Sequence, residues 1–334
     1  MDTGFGNNQL YCACRLTITH YYEPGEKESE CQGTGFLVEF PNKDNRLGLV
    51  TNRHLVDIPW AKPEREGTVL KSIKAEMWQS NKLRIEKTFA NPEPLFHDDP
   101  SIDIGIIPFG PEFDPMTLGT PYDTFENIFP DHETMEQLTF QHGLSWEYLL
   151  KCERLWPQLR PGELVMFPGY PVWFDRAEIR PVLRSGMIAS DPHTNYRRHD
   201  GEPTNHDGNQ QILFDAFSTS GNSGSPVFVA QRGLAPLELK VPTANNPMPQ
   251  VAAKLNFEPY HEPFLIGINA GHFNEHANDH AGLSRLHKLS AIMEILRANE
   301  AEPQPLARNM SLRIPLDNAV GFKPPATLAE ESND

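Results

Sequence analysis

Residues 33–56 read GTGFLVEFPNKDNRLGLVTNRHLV, in which two short apolar runs are separated by a polar turn. The runs at 35–40 and 47–51 are rich in Val, Leu and Phe and are bounded by Gly, Pro, Asn and Asp, a pattern typical of strands. The chain of 334 residues contains 31 prolines and 23 glycines, which favour short strands joined by turns over long helices. This stretch therefore predicts two consecutive β-strands.

Runs of the same kind recur along the chain in two series. The first comprises residues 16–19, 35–40, 47–51, 85–89 and 102–107. The second comprises residues 164–167, 182–188, 212–215, 227–229 and 265–268. Turn-rich stretches separate the runs, as they do in barrels and sandwiches. Two such series on either side of a linker predict an all-β fold with two β-barrels in one chain.

Helical periodicity is confined to two segments, at 131–156 and at 285–297. In the second, Leu286, Leu289, Ile292, Met293 and Leu296 are spaced to form one apolar face, so a terminal amphipathic helix is expected. The Pro- and Asn-rich residues 233–263 are interpreted as a long surface loop.

These patterns divide the chain into four units. We predict an N-terminal barrel at 1–130, a helical insert at 131–160, a C-terminal barrel with the final helix at 161–298, and a flexible tail at 299–334. The tail is Pro-rich and then acidic, a composition typical of loosely held segments.

The charge and the cysteines exclude several classes of protein. Asp and Glu outnumber Lys and Arg by 45 to 29, giving a net charge of −16, which argues against nucleic-acid and membrane partners. No run approaches the roughly 20 apolar residues of a membrane helix, and residues 1–8 lack the pattern of a signal peptide. The four cysteines fit neither a disulfide framework nor a CxxC metal site. We therefore expect a cytoplasmic protein with reduced cysteines; the alternative is a mature secreted form whose signal peptide has been removed.

The segment Gly221-Asn222-Ser223-Gly224-Ser225-Pro226 stands between two β runs. Glycines on both sides of Ser223 let the backbone turn sharply, so its hydroxyl can project into a cleft. The same turn can direct the amide N–H groups of Gly221 and Ser223 at one point, as an oxyanion hole requires. The plain alternative is a Gly/Ser turn without chemistry.

His54 follows an apolar run in Leu49-Val50-Thr51-Asn52-Arg53-His54. A serine hydroxyl is a poor nucleophile until a neighbouring imidazole takes its proton, and the ordinary pKa of histidine, near about 6.5, suits that role. With 13 histidines in the chain, His54 taken alone is equally consistent with a surface histidine at a strand end.

Asp103 lies inside the apolar run Ser101-Ile102-Asp103-Ile104-Gly105-Ile106-Ile107. A buried carboxylate without a partner is costly, and holding a catalytic imidazole would supply that partner. The alternative is an Asp that caps a loop through local backbone hydrogen bonds. Asp98 and Asp99 lie outside the run and are weaker candidates.

Taken together, these motifs resemble the chymotrypsin/trypsin-like serine protease family, particularly its compact bacterial and HtrA-like members. The resemblance rests on GTGFLV, TNRHLV, DIGIIPF and GNSGSPVF at residues 33–38, 51–56, 103–109 and 221–228, and on the chain order His, Asp, Ser. It covers roughly residues 10–298 and omits the insert, the long loop and the tail.

This resemblance implies a double β-barrel with the active site between the barrels, and peptide hydrolysis through an acyl-enzyme. Ser223 would be the nucleophile, His54 the base and then the acid, and Asp103 the group that orients His54. Gly221 and Ser223 would form the oxyanion hole. The expected substrate is a protein or peptide, no cofactor or metal is expected, and a regulatory partner of unspecified kind is left open.

The family resemblance also places the pocket for the residue before the cleaved bond. Its walls would be Phe217, Ser218, Asn269, Ala270, Gly271 and His272. Phe217 stands where trypsin-like enzymes place an Asp at the pocket base, so cleavage after Lys or Arg is not expected. Asn269 stands where glutamate-specific relatives place a histidine. A medium-sized apolar or neutral polar side chain is the expected preference.

Three alternatives stay open. His272, His276 and His280 recur every four residues and would form a metal site on a helix, but Gly271, Asn274 and Asn278 are poor helix formers. A catalytically silent scaffold with the same barrels is a second alternative. An esterase that uses the same triad is the third.

Overall fold

The computed structural model describes residues 4–41, 46–78, 84–109, 142–205, 207–235, 237–243, 246–255, 260–274 and 280–300. Most of the regular secondary structure consists of antiparallel strands, which form one seven-stranded sheet, one closed barrel and one two-stranded hairpin. The all-β class predicted from the sequence is therefore confirmed.

The N-terminal sheet has the strand order β5-β4-β1-β2-β3-β7-β6. Its strands are β1 (Ala13–Tyr22), β2 (Lys27–Glu39), β3 (Leu47–Thr51), β4 (Thr68–Trp78), β5 (Arg84–Ala90), β6 (Leu95–Phe96) and β7 (Gly105–Phe109). Alternate residues of β2 enter different cores, because successive side chains point to opposite faces of a strand. Leu37 packs into the core of this sheet, whereas Phe36 and Val38 pack into a core shared with the second half of the chain.

The C-terminal barrel is closed in the order β10-β15-β14-β11-β8-β9. Its strands are β8 (Leu164–Gly169), β9 (Val182–Ile188), β10 (Gln211–Asp215), β11 (Pro226–Val229), β14 (Phe264–Asn274) and β15 (His280–Lys288). The interior contains large apolar side chains, among them Phe167 and Phe214, whose rings meet edge to face at 5.4 Å.

A hairpin of β12 (Leu237–Thr243) and β13 (Asn246–Leu255) occupies much of residues 233–263. The interpretation of this segment as a plain surface loop was therefore wrong. Its prolines and asparagines indicated loop structure, but an edge strand tolerates proline because only one side of it is paired.

Five α-helices accompany the strands in the described residues: α1 (Asn7–Tyr11), α2 (Arg53–Val56), α3 (Ile58–Ala61), α4 (Trp146–Leu155) and α5 (Leu289–Ala298). None of the helices described is long and apolar enough to cross a membrane. The terminal helix was predicted from residue 285, but residues 285–288 belong to β15, and the helix begins at Leu289. Helix α4 lies in the predicted helical segment, of which residues 131–141 fall outside the described residues.

The two halves of the chain share one apolar core. Phe36 and Ile106 from the N-terminal sheet meet Phe228 from the barrel, together with Leu149 of α4 and Ile292 of α5. All five side chains are essentially buried. This shared core fixes the N-terminal sheet against the barrel, and it thereby positions the loops that carry the candidate site.

Candidate active site

His54 lies in the single turn of α2, directly after β3. Its Nδ1 atom is 2.7 Å from Oδ2 of Asp103, and its backbone amide donates to Oδ1 of the same carboxylate at 2.9 Å. The two contacts bind both oxygens of one carboxylate to one residue, which sets the orientation of the imidazole. The His54 side chain remains 28% exposed, whereas that of Asp103 is 1% exposed.

Asp103 was predicted inside an apolar strand, but β7 begins two residues later, at Gly105. It lies instead in a segment without regular secondary structure, whose backbone is held by side chains from both halves of the chain. Asn52 donates from Nδ2 to the Asp103 carbonyl at 2.9 Å, and the Asp103 amide donates to Nε2 of His287 at 3.0 Å. The burial that the apolar neighbours indicated is present, although the strand is not.

The electrostatic surroundings keep the Asp103 carboxylate charged. Burial by itself raises the pKa of Asp103, but electrostatic attraction and a hydrogen bond from His54, followed by electrostatic interactions with Arg285 and His287, lower it below its ordinary value overall. A carboxylate in this state stabilises an imidazolium at His54 without taking its proton.

Arg285 and His287 were not anticipated from the sequence. Both lie on β15 and are buried, with exposures of 8% and 0%. Burial lowers the pKa of His287 to about 4, so it is neutral near pH 7 and can accept the hydrogen bond from Asp103. Residues 283–290 read LSRLHKLS, which is not an apolar run, so the local sequence carried no signal for their burial.

The backbone around Ser223 requires glycine on both sides. Gly221 has φ +93° and Gly224 has φ +87°, a region that residues with a Cβ rarely adopt. A Cβ at Gly221 would also overlap the carbonyl oxygen of Tyr170, and one at Gly224 would overlap that of Thr34. The turn therefore depends on glycine for two separate reasons, conformation and space.

Some backbone amides of this turn donate hydrogen bonds within the protein and others do not. The amides of Asn222, Gly224 and Ser225 donate to the carbonyls of Thr219, Asn269 and Asn222 at 3.0, 3.1 and 3.0 Å. Those of Gly221 and Ser223 find no acceptor in the described part of the chain. The two amides that the sequence indicated for an oxyanion hole are thus the ones of this turn without an acceptor among the described residues.

The turn lies against β2, the strand that pairs with the one leading to His54. The Ser223 carbonyl accepts a hydrogen bond from the Thr34 amide at 2.8 Å. A Cβ at Gly33 would meet both the Leu55 side chain and, at 3.4 Å, the Ser223 carbonyl oxygen, so Ser223 and the residue after His54 pack around the same point. The Ser223 hydroxyl forms no hydrogen bond to any residue described, and the side chain is partly exposed.

Two of the predicted pocket residues form a buried hydrogen-bonded unit. Asn269 donates from Nδ2 to Oγ of Ser218 at 2.9 Å and to the Asn222 carbonyl at 2.8 Å, and its Oδ1 accepts from the Gly271 amide at 3.2 Å. Asn269 and Ser218 are 0% and 1% exposed. The Asn269 amide is therefore engaged within the protein and links the strand β14 to the Ser223 turn.

The other predicted pocket residues are arranged differently. Phe217 is 58% exposed, so its ring does not form an enclosed pocket base, and its carbonyl accepts from Nη2 of Arg184 at 2.7 Å. Ala270 is buried and its carbonyl accepts from Nε of Arg285 at 3.2 Å. Gly271 and His272 are partly exposed on β14.

The sequence left open a metal site at His272, His276 and His280, which requires these three histidines to lie on one helix. Residues 272–274 continue the strand β14 rather than forming a helix, His276 lies outside the described residues, and His280 begins β15. Within the ranges that the structure covers, no three His, Cys, Asp or Glu residues are arranged to hold a metal ion. The four cysteines are all free thiols.

No protein-family model matches the chain, and neither does any curated protein. Solved structures similar to it include a thermostable serine protease AL20 from an extremophilic microorganism, with 10% identity and a TM-score of 0.45 over 88% of this chain and 100% of that one. A Glu endopeptidase in complex with MPD has 14% identity and a TM-score of 0.40 over 89% and 95%. The protease Anisep from Arthrobacter nicotinovorans has 11% identity and a TM-score of 0.44 over 88% and 97%.

Proposed function

We propose that this protein is a serine endopeptidase in which Ser223 is the nucleophile, His54 the general base and acid, and Asp103 the group that orients His54. The observation that supports it best is the combination of a His54 imidazole paired with the buried Asp103 carboxylate and a turn at Ser223 whose two predicted oxyanion amides find no acceptor among the described residues.

The His54–Asp103 contact determines which imidazole nitrogen carries the proton. Because Nδ1 faces a carboxylate that is held charged, the proton of a neutral imidazole resides on Nδ1. The lone pair of Nε2 is then available to take the hydroxyl proton of Ser223 as a substrate enters. The absence of a Ser223–His54 hydrogen bond is compatible with this role, because such contacts often tighten only when substrate binds.

Each step of the proposed reaction conserves atoms and charge. The Ser223 oxygen bonds to the scissile carbonyl carbon while its proton passes to Nε2 of His54, and the carbonyl oxygen becomes an oxyanion facing the amides of Gly221 and Ser223. The C–N bond then breaks, and the proton on Nε2 goes to the leaving amine. A water molecule repeats the sequence on the acyl-enzyme and releases the second product.

The proposed substrate is a protein or peptide with a neutral, medium-sized side chain before the cleaved bond. The buried wall of Ser218 and Asn269 offers no charged group, which supports this preference. No cofactor takes part in the proposed reaction, and we place the enzyme in the cytoplasm.

A fluorophosphonate probe tests the proposal directly. The wild type should form a covalent adduct at Ser223, located by peptide mass spectrometry, and Ser223→Ala should form none. Labelling of another residue, or no labelling of folded wild type, would reject the nucleophile and favour a silent scaffold. If labelling succeeds, hydrolysis of ester substrates without cleavage of any protein in a proteome-wide map of new N-termini would indicate an esterase.

A further inference from the structure

We propose that the hydroxyl of Thr34 is a positioning group for the oxyanion turn, so that the N-terminal sheet holds the Gly221 and Ser223 amides in their active arrangement. This inference rests on the proposed function and concerns a residue that touches neither the substrate nor the triad side chains.

The hydrogen bonds of the Thr34 hydroxyl have only one consistent direction. Oγ1 lies 3.0 Å from the Tyr170 amide and 2.7 Å from the Gly221 carbonyl oxygen. An amide can only donate and a carbonyl can only accept, so the hydroxyl accepts from Tyr170 and gives its own proton to Gly221. Thr34 is 0% exposed, so water cannot replace either partner at the surface.

The main chain of Thr34 holds the other end of the same turn. Its amide donates to the Ser223 carbonyl at 2.8 Å, and its carbonyl accepts from Oγ1 of Thr51 at 2.8 Å. One residue of β2 thus binds the carbonyls of both residues whose amides are unpaired. The Thr34 side chain donates to the Gly221 carbonyl, and the Thr34 main-chain amide donates to the Ser223 carbonyl.

Gly221 needs this external restraint because glycine rotates freely about φ and ψ. Without a Cβ, Gly221 at φ +93° has no side-chain barrier to rotation, so hydrogen bonds orient the peptide group after it. The Asn222 amide of that group donates to the Thr219 carbonyl at 3.0 Å, and its carbonyl, that of Gly221, accepts from the Thr34 hydroxyl. The neighbouring Asn222 side chain supplies little restraint, since its buried Oδ1 has no hydrogen-bond partner among the residues described and its Nδ2 reaches Oγ1 of Thr219 only at 3.5 Å. The Thr34 hydroxyl is therefore the restraint on the carbonyl side of this peptide group, and the Thr219 carbonyl is the restraint on its N–H side.

The Thr34→Val variant tests this inference, because valine keeps the shape of threonine and removes only the hydroxyl. Thr34→Ser is the matched control that restores it. The readout is the fluorophosphonate labelling of Ser223, separated into the maximal rate and the half-saturating probe concentration. A phosphonyl oxygen enters the oxyanion hole as the adduct forms, so the maximal rate should fall about 10- to 100-fold in Thr34→Val with little change in half-saturation. Thr34→Ser should stay within about threefold of wild type.

A second variant separates positioning from stability. Thr51→Val removes a buried hydroxyl that donates to the Thr34 carbonyl, and it leaves the Gly221 carbonyl untouched. It should lower the melting temperature by an amount similar to Thr34→Val, yet it should retain most of the labelling rate. Equal labelling rates for Thr34→Val and Thr51→Val would overturn the inference.

If Thr34→Val fails to fold, Thr34→Ala gives the same comparison in a less crowded site. Failure of both variants to fold, while Thr51→Val folds, would assign Thr34 a purely structural role and also overturn the inference. An unlabelled wild type would instead count against the proposed function, so the two failures are distinguishable.

Discussion

The backbone amide of Asp103 donates to Nε2 of His287 at 3.0 Å, although the two residues are 184 positions apart in the chain. A histidine nitrogen accepts a hydrogen bond only when it carries no proton, so this contact requires neutral His287. Burial lowers the pKa of His287 to about 4 and thereby keeps it neutral; Arg285 and His97 act in the same direction, and Asp103 and the backbone of Asn209 oppose them.

This contact predicts a loss of stability in mild acid. In the unfolded chain a histidine titrates near about 6.5, so between that pH and about 4 the unfolded state binds a proton that native His287 does not. The free energy of unfolding should therefore fall as the pH drops through this window and level off below it. Urea unfolding of wild type and His287→Gln at several pH values measures the difference.

In this test, His287→Gln should lose less stability than wild type on acidification. His142→Gln provides a comparison, because burial also lowers the pKa of His142 to about 4. Identical pH dependences for wild type and His287→Gln would contradict the assigned state of His287.

Substitutions in the triad should act as a unit. Ser223→Ala and His54→Ala should each reduce kcat/KM about 10⁴-fold or more, and the double variant should be little worse. Asp103→Asn should also cost heavily, because it favours the wrong tautomer of His54. Peptidase assays with Asp99→Asn as the control measure this, and near-normal activity in Asp103→Asn with loss in Asp99→Asn would mean that the acid is misassigned.

Replacing a glycine of the Ser223 turn with alanine should destabilise the protein. Gly162, which lies outside the turn, provides the reference for the cost of backbone strain alone. Gly162 has φ +83° with open space around its Cα, whereas Gly224 has φ +87° and faces the Thr34 carbonyl. Gly162→Ala should cost about 1 kcal/mol of stability from backbone strain alone. Gly224→Ala should cost clearly more, and it should also lower activity. Equal changes in the unfolding free energy of the two variants would contradict the close approach at Gly224.

The boundary of the dispensable tail should fall after Glu300. Arg46 is 1% exposed and donates from Nη2 to the carbonyls of Asn299 and Glu300 at 2.8 Å each. A chain ending at residue 300 should therefore fold and melt like the full protein. A chain ending at Ala298 loses both acceptors and should be less stable by about 1–3 kcal/mol. Thermal melting of the two truncated chains and the full protein measures these differences. A chain of residues 1–300 that lacks a cooperative transition would refute the assignment of the tail.

Activity should depend on neither divalent metals nor disulfides. The motivation is the Ser–His–Asp set together with four cysteines that are all free thiols. Peptidase activity should persist in a chelator and in a reducing agent. Activity that a chelator abolishes and zinc restores would overturn the proposed mechanism.

Local features of the chain could be predicted because local chemistry decides them. The strand at Leu47–Thr51 and the strand at Val182–Ile188 were predicted with their observed bounds, since β-favouring side chains and flanking turns lie within a few residues. The need for glycine at Gly221 and Gly224 has the same local origin.

Features that depend on partners distant in sequence were decided by the tertiary structure. Residues 285–288 satisfy helical spacing, yet β10 and β14 pair with them on either side and extend them as a strand. Proline and asparagine concealed β12 and β13, which pair with each other. The roles of Thr34, Arg285 and His287 arise only when β2 and β15 meet the Ser223 turn and Asp103. Hydrogen bonds across 187 and 184 positions leave no mark in the local sequence, because the fold rather than the neighbouring residues brings the two partners together.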